Sequence, residues 1–380
     1  MTLVFRKFTK RAFVTANIIT TVLFLLACCN AFLHPQQWWF IALLGLSFPF
    51  LLLIVFCFFI LWVLFRSKWA LLSLAALILG YSNIRALIGF HFTTKTVEAK
   101  QSGALRVMSW NVSWFDEQTK DDRSRPIYRK QMLDFIRSQD PDLICFQEYL
   151  EPNTRRRDYN NKNDITKLGY PYHHIVYDYV GWKGSFLTGV AIFSKYPIVD
   201  SIHVRYPGPK NLRAAESLIG ADIDINGQKI RVFTTHLQSV LFQKGDYHNL
   251  EIIKNAQDSM LEASKSVIKK LVQGYKFRGD QVDIVRKHLD ESPYPVVICG
   301  DFNDVPNSYT YFQVKGKRKD AFVEAGYGIG RTFSNISPTL RIDYIMTDDQ
   351  WETLQYDCHP LPYSEHYPVI ADIRLRDTVQ

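Results

Sequence analysis

Pro295-Val296-Val297-Ile298-Cys299-Gly300-Asp301-Phe302-Asn303 is a short apolar run that stops at an acid and an amide. The run is too short for an ordinary helix and rich in β-branched residues, so it predicts a strand buried on both faces. A single Asp or Asn at such an end is ordinarily a turn residue or a helix cap. Its meaning depends on whether other runs stop in the same way.

They do. Leu105–Trp110 runs into Asn111, Asp142–Phe146 into Gln147-Glu148, and Ile230–Phe233 into Thr234-Thr235-His236. Arg341–Met346 carries Asp343 inside the run, and Glu365-His366 stands just before a last apolar stretch, Val369–Ile373. Helical patterns lie between them. One is Pro126–Ser138, ended by Gln139-Asp140-Pro141; the other is Asn249–Gln273, with Gly274 placed as a stop. Strand, helix, strand units of this kind predict a mixed α/β layered domain. Each polar cluster alone reads as local structure. Together they fall at strand ends, where a sheet gathers them around one crevice.

Several carboxylates with Asn and no Cys-rich site form a hard-ligand environment, which favours Mg²⁺, Mn²⁺ or Ca²⁺ over zinc. Such an ion bridges phosphate oxygens and neutralises developing charge. Two histidines add proton transfer or charge stabilisation. The chain has no Gly-x-x-x-x-Gly-Lys loop and no Ser-centred elbow, so nucleotide-driven and acyl-transfer chemistry lack support. The residues point to metal-assisted phosphoester hydrolysis.

The first quarter of the chain is different. Residues 12–90 are almost uncharged and dense in Leu, Ile, Phe, Val and Trp. Three stretches, Phe13–Leu33, Trp38–Phe65 and Trp69–Phe90, reach the length of about 20 residues needed to span a bilayer. Arg6, Lys7, Lys10 and Arg11 precede the first, the loop His34–Gln37 has no Lys or Arg, and the second loop carries Arg66 and Lys68. Positive-inside counting predicts a multi-pass cell (inner) membrane protein, N-terminus inside. Everything after residue 90 then lies outside the cytoplasm, which in a Gram-negative bacterium is the periplasm. A cleaved signal peptide lacks a small-x-small site, and Leu25-Leu26-Ala27-Cys28 resembles a lipoprotein box only faintly. Neither moves the globular part to the other side. The predicted organisation is a basic N-terminus at 1–12, a three-helix region at 13–90, a linker at 91–102 and a catalytic domain at 103–376.

The net charge is +8 and the pI near 9.0, which suits an anionic partner and equally a membrane protein with basic flanks. Lys265, Lys269, Lys270, Lys276 and Arg278 read either as a solvated face or as a set that meets anionic lipid head groups. Six cysteines show no Cys-x-x-Cys and no disulfide framework.

The order of motifs resembles the endonuclease/exonuclease/phosphatase superfamily, which includes pancreatic deoxyribonuclease, exonuclease III, inositol polyphosphate 5-phosphatases and neutral sphingomyelinases. The resemblance rests on Ser109-Trp-Asn-Val112, Phe146-Gln-Glu148, Gly189-Val-Ala-Ile-Phe-Ser-Lys-Tyr-Pro197, Thr235-His-Leu237, Gly300-Asp-Phe-Asn303, Arg341-Ile-Asp-Tyr-Ile345 and Ser364-Glu-His-Tyr-Pro368. It implies a four-layer α/β/β/α sandwich, here preceded by three transmembrane helices. It further implies Glu148 as principal metal ligand with Asn111 beside it, and Asp301 with Asn303 around the attacking water. By the same resemblance His236 faces a phosphate oxygen, and His366 is the catalytic histidine oriented by Asp343. Mg²⁺ is the implied cofactor, with Mn²⁺ or Ca²⁺ as alternatives. The implied partners are a phosphoester substrate (a lipid head group or nucleic acid) and the membrane; no protein partner is predicted.

One position departs from the pattern. Many members carry Ser-Asp-His where this chain has Ser364-Glu365-His366. The acid at that place contributes to metal binding, so Glu365 joins the implied metal set with oxygens displaced by about 1 Å, enough to matter where geometry is tight. A decayed, phosphate-binding module without turnover is the rival reading. Retention of every other motif position argues for an enzyme. Asn111-Val112-Ser113 fits a glycosylation sequon, but an Asn that points into a crevice is a poor acceptor.

Overall fold

In the computed structural model, residues 3–91, 99–116, 125–153, 160–208, 215–240 and 260–376 are described. Five helices come first: α1 (Leu3–Cys28), α2 (Pro35–Leu46), α3 (Phe48–Leu64), α4 (Ala70–Leu79) and α5 (Tyr81–Leu87). The strands are β1 (Gly89–Phe90), β2 (Leu105–Asn111), β3 (Leu143–Pro152), β4 (Tyr172–Gly181), β5 (Phe186–Ser194), β6 (Ile198–Val204) and β7 (Glu216–Ile225). They continue with β8 (Gln228–His236), β9 (Val296–Asp301), β10 (Lys319–Asp320), β11 (Tyr327–Gly328), β12 (Asp343–Thr347), β13 (Trp351–Cys358) and β14 (Val369–Leu375). The remaining helices are α6 (Arg125–Gln139), α7 (Asn161–Lys167), α8 (Met260–Asp290), α9 (Tyr309–Lys315) and α10 (Ala321–Ala325). The chain divides into two units. One holds residues 1–88, 241–279 and 305–313; the other holds 89–240, 280–304 and 314–380.

The larger unit is built on two six-stranded sheets, in the orders β13-β14-β2-β3-β5-β4 and β10-β12-β9-β8-β7-β6. Val107, Leu143, Cys145 and Ile192 of the first sheet pack against Ile219, Val232, Val297, Cys299 and Ile345 of the second. On its other side the first sheet buries Met108, Trp110, Ile144 and Phe146 with Met132 and Ile136 of α6. Strand β2 is therefore buried at every residue, with apolar side chains on both faces and its one charged residue, Arg106, paired with the buried Asp372. In α8, Val282, Val285 and Leu289 are buried among exposed neighbours, the pattern of an outer helical layer. The architecture is the expected four-layer sandwich.

Two strand pairs are parallel, β2 with β3 and β8 with β9. Parallel neighbours need a crossover, and α6 and α8 supply the two. The C-terminal ends of these pairs deliver Asn111, His236 and Asp301. Helix α8 corrects one expectation: it runs straight through Gly274, where a stop was predicted, and ends at Asp290. Gly274 and Tyr275 are buried there, and packing outweighs the cost of about 1 kcal/mol for an interior glycine. Residues 249–259 of that predicted helix lie outside the described residues.

The smaller unit corrects a second expectation, since three unbroken apolar helices are not what the chain forms. Among the described residues Lys7–Ala31 alone is continuous and apolar enough to cross a membrane; α2 with α3 and α4 with α5 are bent pairs, at 57° and 66°. By length and composition the candidate spans among the described residues number one, or up to three if each bent pair is one span. Pro49, in the first turn of α3, cannot donate to the carbonyl four residues back and clashes with it, so α2 cannot continue through it. At Gly80 a Cβ would lie 2.6 Å from the Phe24 ring, so a glycine breaks the helix where α1 comes close. Two buried side-chain pairs inside this unit are hydrogen-bonded: Ser73 Oγ donates to Asn17 Oδ1 at 3.0 Å, and Asn83 Nδ2 to Asn307 Oδ1 at 2.6 Å.

Candidate active site

Register places four ionisable residues in one row across the second sheet. Glu216 pairs with His236, His236 with Asp301, and Asp301 with Asp343, on the adjacent strands β7, β8, β9 and β12. From the first sheet, Asn111 ends β2, and Glu148 sits at a bulge in β3 with φ 50°. A bulge re-aims the side chain that it carries. The Glu148 amide donates to Glu216 Oε2 at 2.8 Å, which ties the bulge to the row.

Asn111 is fully buried at the junction, which rules it out as a glycosylation acceptor in the folded state. Its Nδ2 donates to Glu148 Oε1 at 3.2 Å and to Asp301 Oδ2 at 3.0 Å, and its Oδ1 accepts from the Ser113 amide at 3.0 Å. Asp301 Oδ1 accepts from the Asn303 amide at 2.8 Å, while Asn303 Nδ2 donates to the Leu237 carbonyl at 3.0 Å. Asn303 holds φ 52°, a conformation that Asn tolerates better than most residues.

Both histidines face carboxylates. His366 Nδ1 lies 3.1 Å from each oxygen of Asp343, and its Nε2 lies 3.6 Å from Asp301 Oδ2. Burial draws the ring's pKa down, but Asp343 and Asp301 outweigh it and raise it to about 9. The Phe333 ring packs on His366 at 4.9 Å between centroids, and Trp110 Nε1 donates to the His366 carbonyl at 3.0 Å. His236 Nδ1 approaches Glu216 Oε2 at 3.3 Å, and its Nε2 is 3.6 Å from Asp301 Oδ2 and 3.9 Å from Glu148 Oε1. These are ion-pair contacts, since neither ring nitrogen makes an aligned hydrogen bond among the described residues. Burial again lowers the pKa, and Glu216, Asp301 and Glu148 together lift it to about 10. Burial pushes the carboxyls of Glu216 and Asp343 up, against the pull of their histidines.

The crevice thus gathers Asn111, Glu148, His236, Asp301, Asn303, Asp343 and His366. Glu365 stands apart from this group. Its side chain is exposed and its Oε1 accepts from Asn335 Nδ2 at 2.8 Å, on the segment before β12. Glu216 is the one acid of the row that the sequence reading passes over. It opens an apolar run instead of closing one, so nothing local distinguishes it from a strand-entry acid.

The donor set suits a divalent cation. Glu148, Glu216, Asp301 and Asp343 bring four negative charges and the two imidazoliums two positive ones, which leaves −2 if all are ionised. Oxygen donors from Glu148, Asp301 and Asn111 are hard ligands, and about a quarter of the Glu148 side chain remains open to solvent for an ion to reach. Asp301, Asp343 and His366 form a second compact group, which can hold an ion only with the His366 ring unprotonated.

A profile described as the Endonuclease/Exonuclease/phosphatase family matches residues 108–366, and the chain belongs to that family. Its members are typically metal-dependent hydrolases of phosphoester bonds. A second profile, a domain of unknown function (DUF8431), matches residues 10–87. Among solved structures, the endonuclease/exonuclease/phosphatase from Beutenbergia cavernae is similar at 19% identity, over 72% of each chain, with a TM-score of 0.51. The human Nocturnin catalytic domain with bound sulfate anion is similar at 15% identity, over 73% of this chain and 96% of its own, also at 0.51. At these identities the likeness speaks for the fold. No curated protein matches the chain.

Proposed function

We propose that the chain is a membrane-anchored phosphoesterase that depends on a divalent metal and hydrolyses a phosphodiester or phosphomonoester by attack of water. The observation that carries this reading is the row Glu216, His236, Asp301 and Asp343, closed by His366 and faced by Glu148 and Asn111. Glu148 and Asn111 are assigned to the metal, which when bound screens charge on the phosphoryl oxygens. Asp301 and Asn303 hold the attacking water. His366, whose charge Asp343 and Asp301 support, gives its proton to the leaving oxygen as the bond from that oxygen to phosphorus breaks, while Asp301 takes the proton of the attacking water. His236, protonated for the same reason, faces a second oxygen and balances its charge. Asp343 orients and charges His366. Glu365 stays in the metal set as a longer-reaching ligand, which must leave Asn335 to take part.

Membrane anchoring rests on the apolar helix Lys7–Ala31 and the two bent pairs. An odd number of spans with basic residues at the start carries the sandwich out of the cytoplasm. A tether beside a bilayer favours a lipid or surface phosphodiester, with nucleic acid as the other substrate class.

The test is cleavage by the purified full chain with Mg²⁺ of bis(p-nitrophenyl) phosphate, DNA, RNA, sphingomyelin and phosphoinositides. His366→Ala and Glu148→Ala should each abolish cleavage. Turnover of none of these substrates, or unchanged turnover in both variants, refutes the active-site reading. A C-terminal reporter that is active only in the cytoplasm refutes the topology.

A further inference from the structure

Helix α8 changes character along its length. Its first turn holds one acid, Glu262; from residue 263 to 279 it holds Lys265, Lys269, Lys270, Lys276 and Arg278 and no acid, and from 280 onward Asp280, Asp283 and Asp290 mix with Arg286 and Lys287. The wholly cationic part belongs to the same unit as the apolar helices. Lys265, Lys269, Val272 and Lys276 follow spacings of four, three and four residues, which puts them on one helix face.

That face borders an open groove of about 470 Å³ lined by Gln36, Lys269, Val272, Gln273, Lys276 and Phe277. The size lies in the range of small-molecule sites. Gln36 belongs to the first turn of α2, and its Nε2 donates to the Lys276 carbonyl at 3.4 Å. The helix comes this close to the first loop because residue 279 is glycine: a Cβ there would lie 2.7 Å from Pro35 Cγ. Just beyond Gln36 stand Trp38 and Trp39, both exposed, in the position of aromatic residues at a membrane–water boundary. Among the described residues neither the Lys269 nor the Lys276 ammonium has an ion-pair partner. Among the described residues the wall therefore offers two cations without an ion-pair partner, the Gln273 amide, and an apolar strip from Val272 and Phe277.

We infer that this groove binds the head group of an anionic phospholipid, with its phosphate between Lys269 and Lys276 and its glycerol and first methylenes against Val272 and Phe277. The inference rests on the membrane reading, because only a bilayer brings such a ligand beside Trp38 and Trp39. It is independent of the crevice chemistry. Two lysines are expected to confer about 30-fold preference for an anionic over a zwitterionic head group.

The test titrates the detergent-solubilised full chain with dihexanoyl-phosphatidylglycerol, dihexanoyl-phosphatidylcholine and inorganic phosphate. The anionic lipid should bind saturably, the zwitterionic lipid about 30-fold more weakly, and phosphate should not compete at equal concentration. Lys269→Glu/Lys276→Glu should bring the anionic lipid to the zwitterionic level, while Lys269→Arg/Lys276→Arg keeps the preference. If the charge reversal does not fold, Lys269→Gln/Lys276→Gln carries the same expectation. A preference that survives loss of both lysines overturns the inference, as does phosphate competing as well as lipid. Carbonate washing of native membranes separates the two readings. Release of the chain refutes the anchor, whereas a retained chain without lipid preference refutes the groove alone.

Discussion

Glu216 and His236 stand directly opposite each other on β7 and β8, with Glu216 Oε2 3.3 Å from His236 Nδ1. The same Glu216 oxygen accepts the Glu148 amide at 2.8 Å. One buried carboxylate therefore holds the charge of a histidine and the backbone of the main candidate metal ligand. Glu216→Gln keeps the shape and one acceptor but removes the charge. Outer-layer partners of this kind are worth roughly 10- to 100-fold in activity or metal affinity. The expected result is a kcat lower by that factor with KM little changed, and an alkaline limb of the pH–rate profile shifted down as His236 loses its proton earlier. An unchanged limb would show that Glu216 only packs.

The two histidines also link stability to pH. Both have folded pKa values, about 9 for His366 and about 10 for His236, above the ordinary value near 6.5. A raised imidazole pKa stabilises the fold fully below the unfolded value, and that contribution is lost as pH rises through the folded one. The raised carboxyls of Glu216 and Asp343 act in the same sense lower on the scale. In chelator, the melting temperature of the sandwich should fall steadily from about pH 7 to pH 10. Asp343→Asn removes the strongest support of the His366 charge, so the lower part of that fall should flatten. A melting temperature that rises over this range would contradict the assigned charge states.

Much of the candidate site was legible because strand ends collect polar residues, and Asn111, Glu148, His236, Asp301 and Asp343 each close or enter an apolar run that the sheets bury. What stayed hidden depends on partners far along the chain. Glu216 gains its meaning only from the β7–β8 register. The direction of Glu365 is set by a segment around Asn335 that carries no periodic pattern. Gly274 reads as a stop because propensity is local, while the packing that keeps α8 going is not. Hydropathy counts apolar residues and does not register the bends at Pro49 and Gly80.

Glu365 gives the next prediction. Its carboxylate is bonded to Asn335 and must leave that partner to reach an ion in the crevice. Glu365→Asp shortens the arm by one methylene and introduces the acid that the motif resemblance implies for many members of the family. If Glu365 is a metal ligand, the Mg²⁺ concentration for half-maximal activity should shift by roughly tenfold or more, with kcat at saturation less affected. Asn335→Ala frees the carboxylate and should move the same parameter in the direction of tighter binding. Metal dependence unchanged in both variants assigns Glu365 to the loop contact alone.

The last prediction concerns the smaller unit. Asn307 Nδ2 donates to the Ala27 carbonyl at 3.1 Å, its Oδ1 accepts from Asn83 Nδ2 at 2.6 Å, and its carbonyl accepts from Asn30 Nδ2 at 2.7 Å. All three asparagines are buried, so each unmade bond leaves a polar group without water. Asn307→Ala takes from Asn83 one of the two acceptors of its amide and from the Ala27 carbonyl its Asn307 donor, at about 1–3 kcal/mol for each buried group left unpaired. Asn83→Ala strands the Asn307 oxygen and the Cys28 carbonyl, which accepts from Asn83 Nδ2 at 3.2 Å. Because the two variants share one bond, the double substitution should cost less than the sum of the singles, by roughly 0.5 kcal/mol or more. Thermal unfolding of the detergent-solubilised chain, followed through Trp38, Trp39 and the other tryptophans, measures the cycle. Strictly additive losses would mean that the 2.6 Å contact contributes nothing, and that the segment around residue 307 is held by its packing alone.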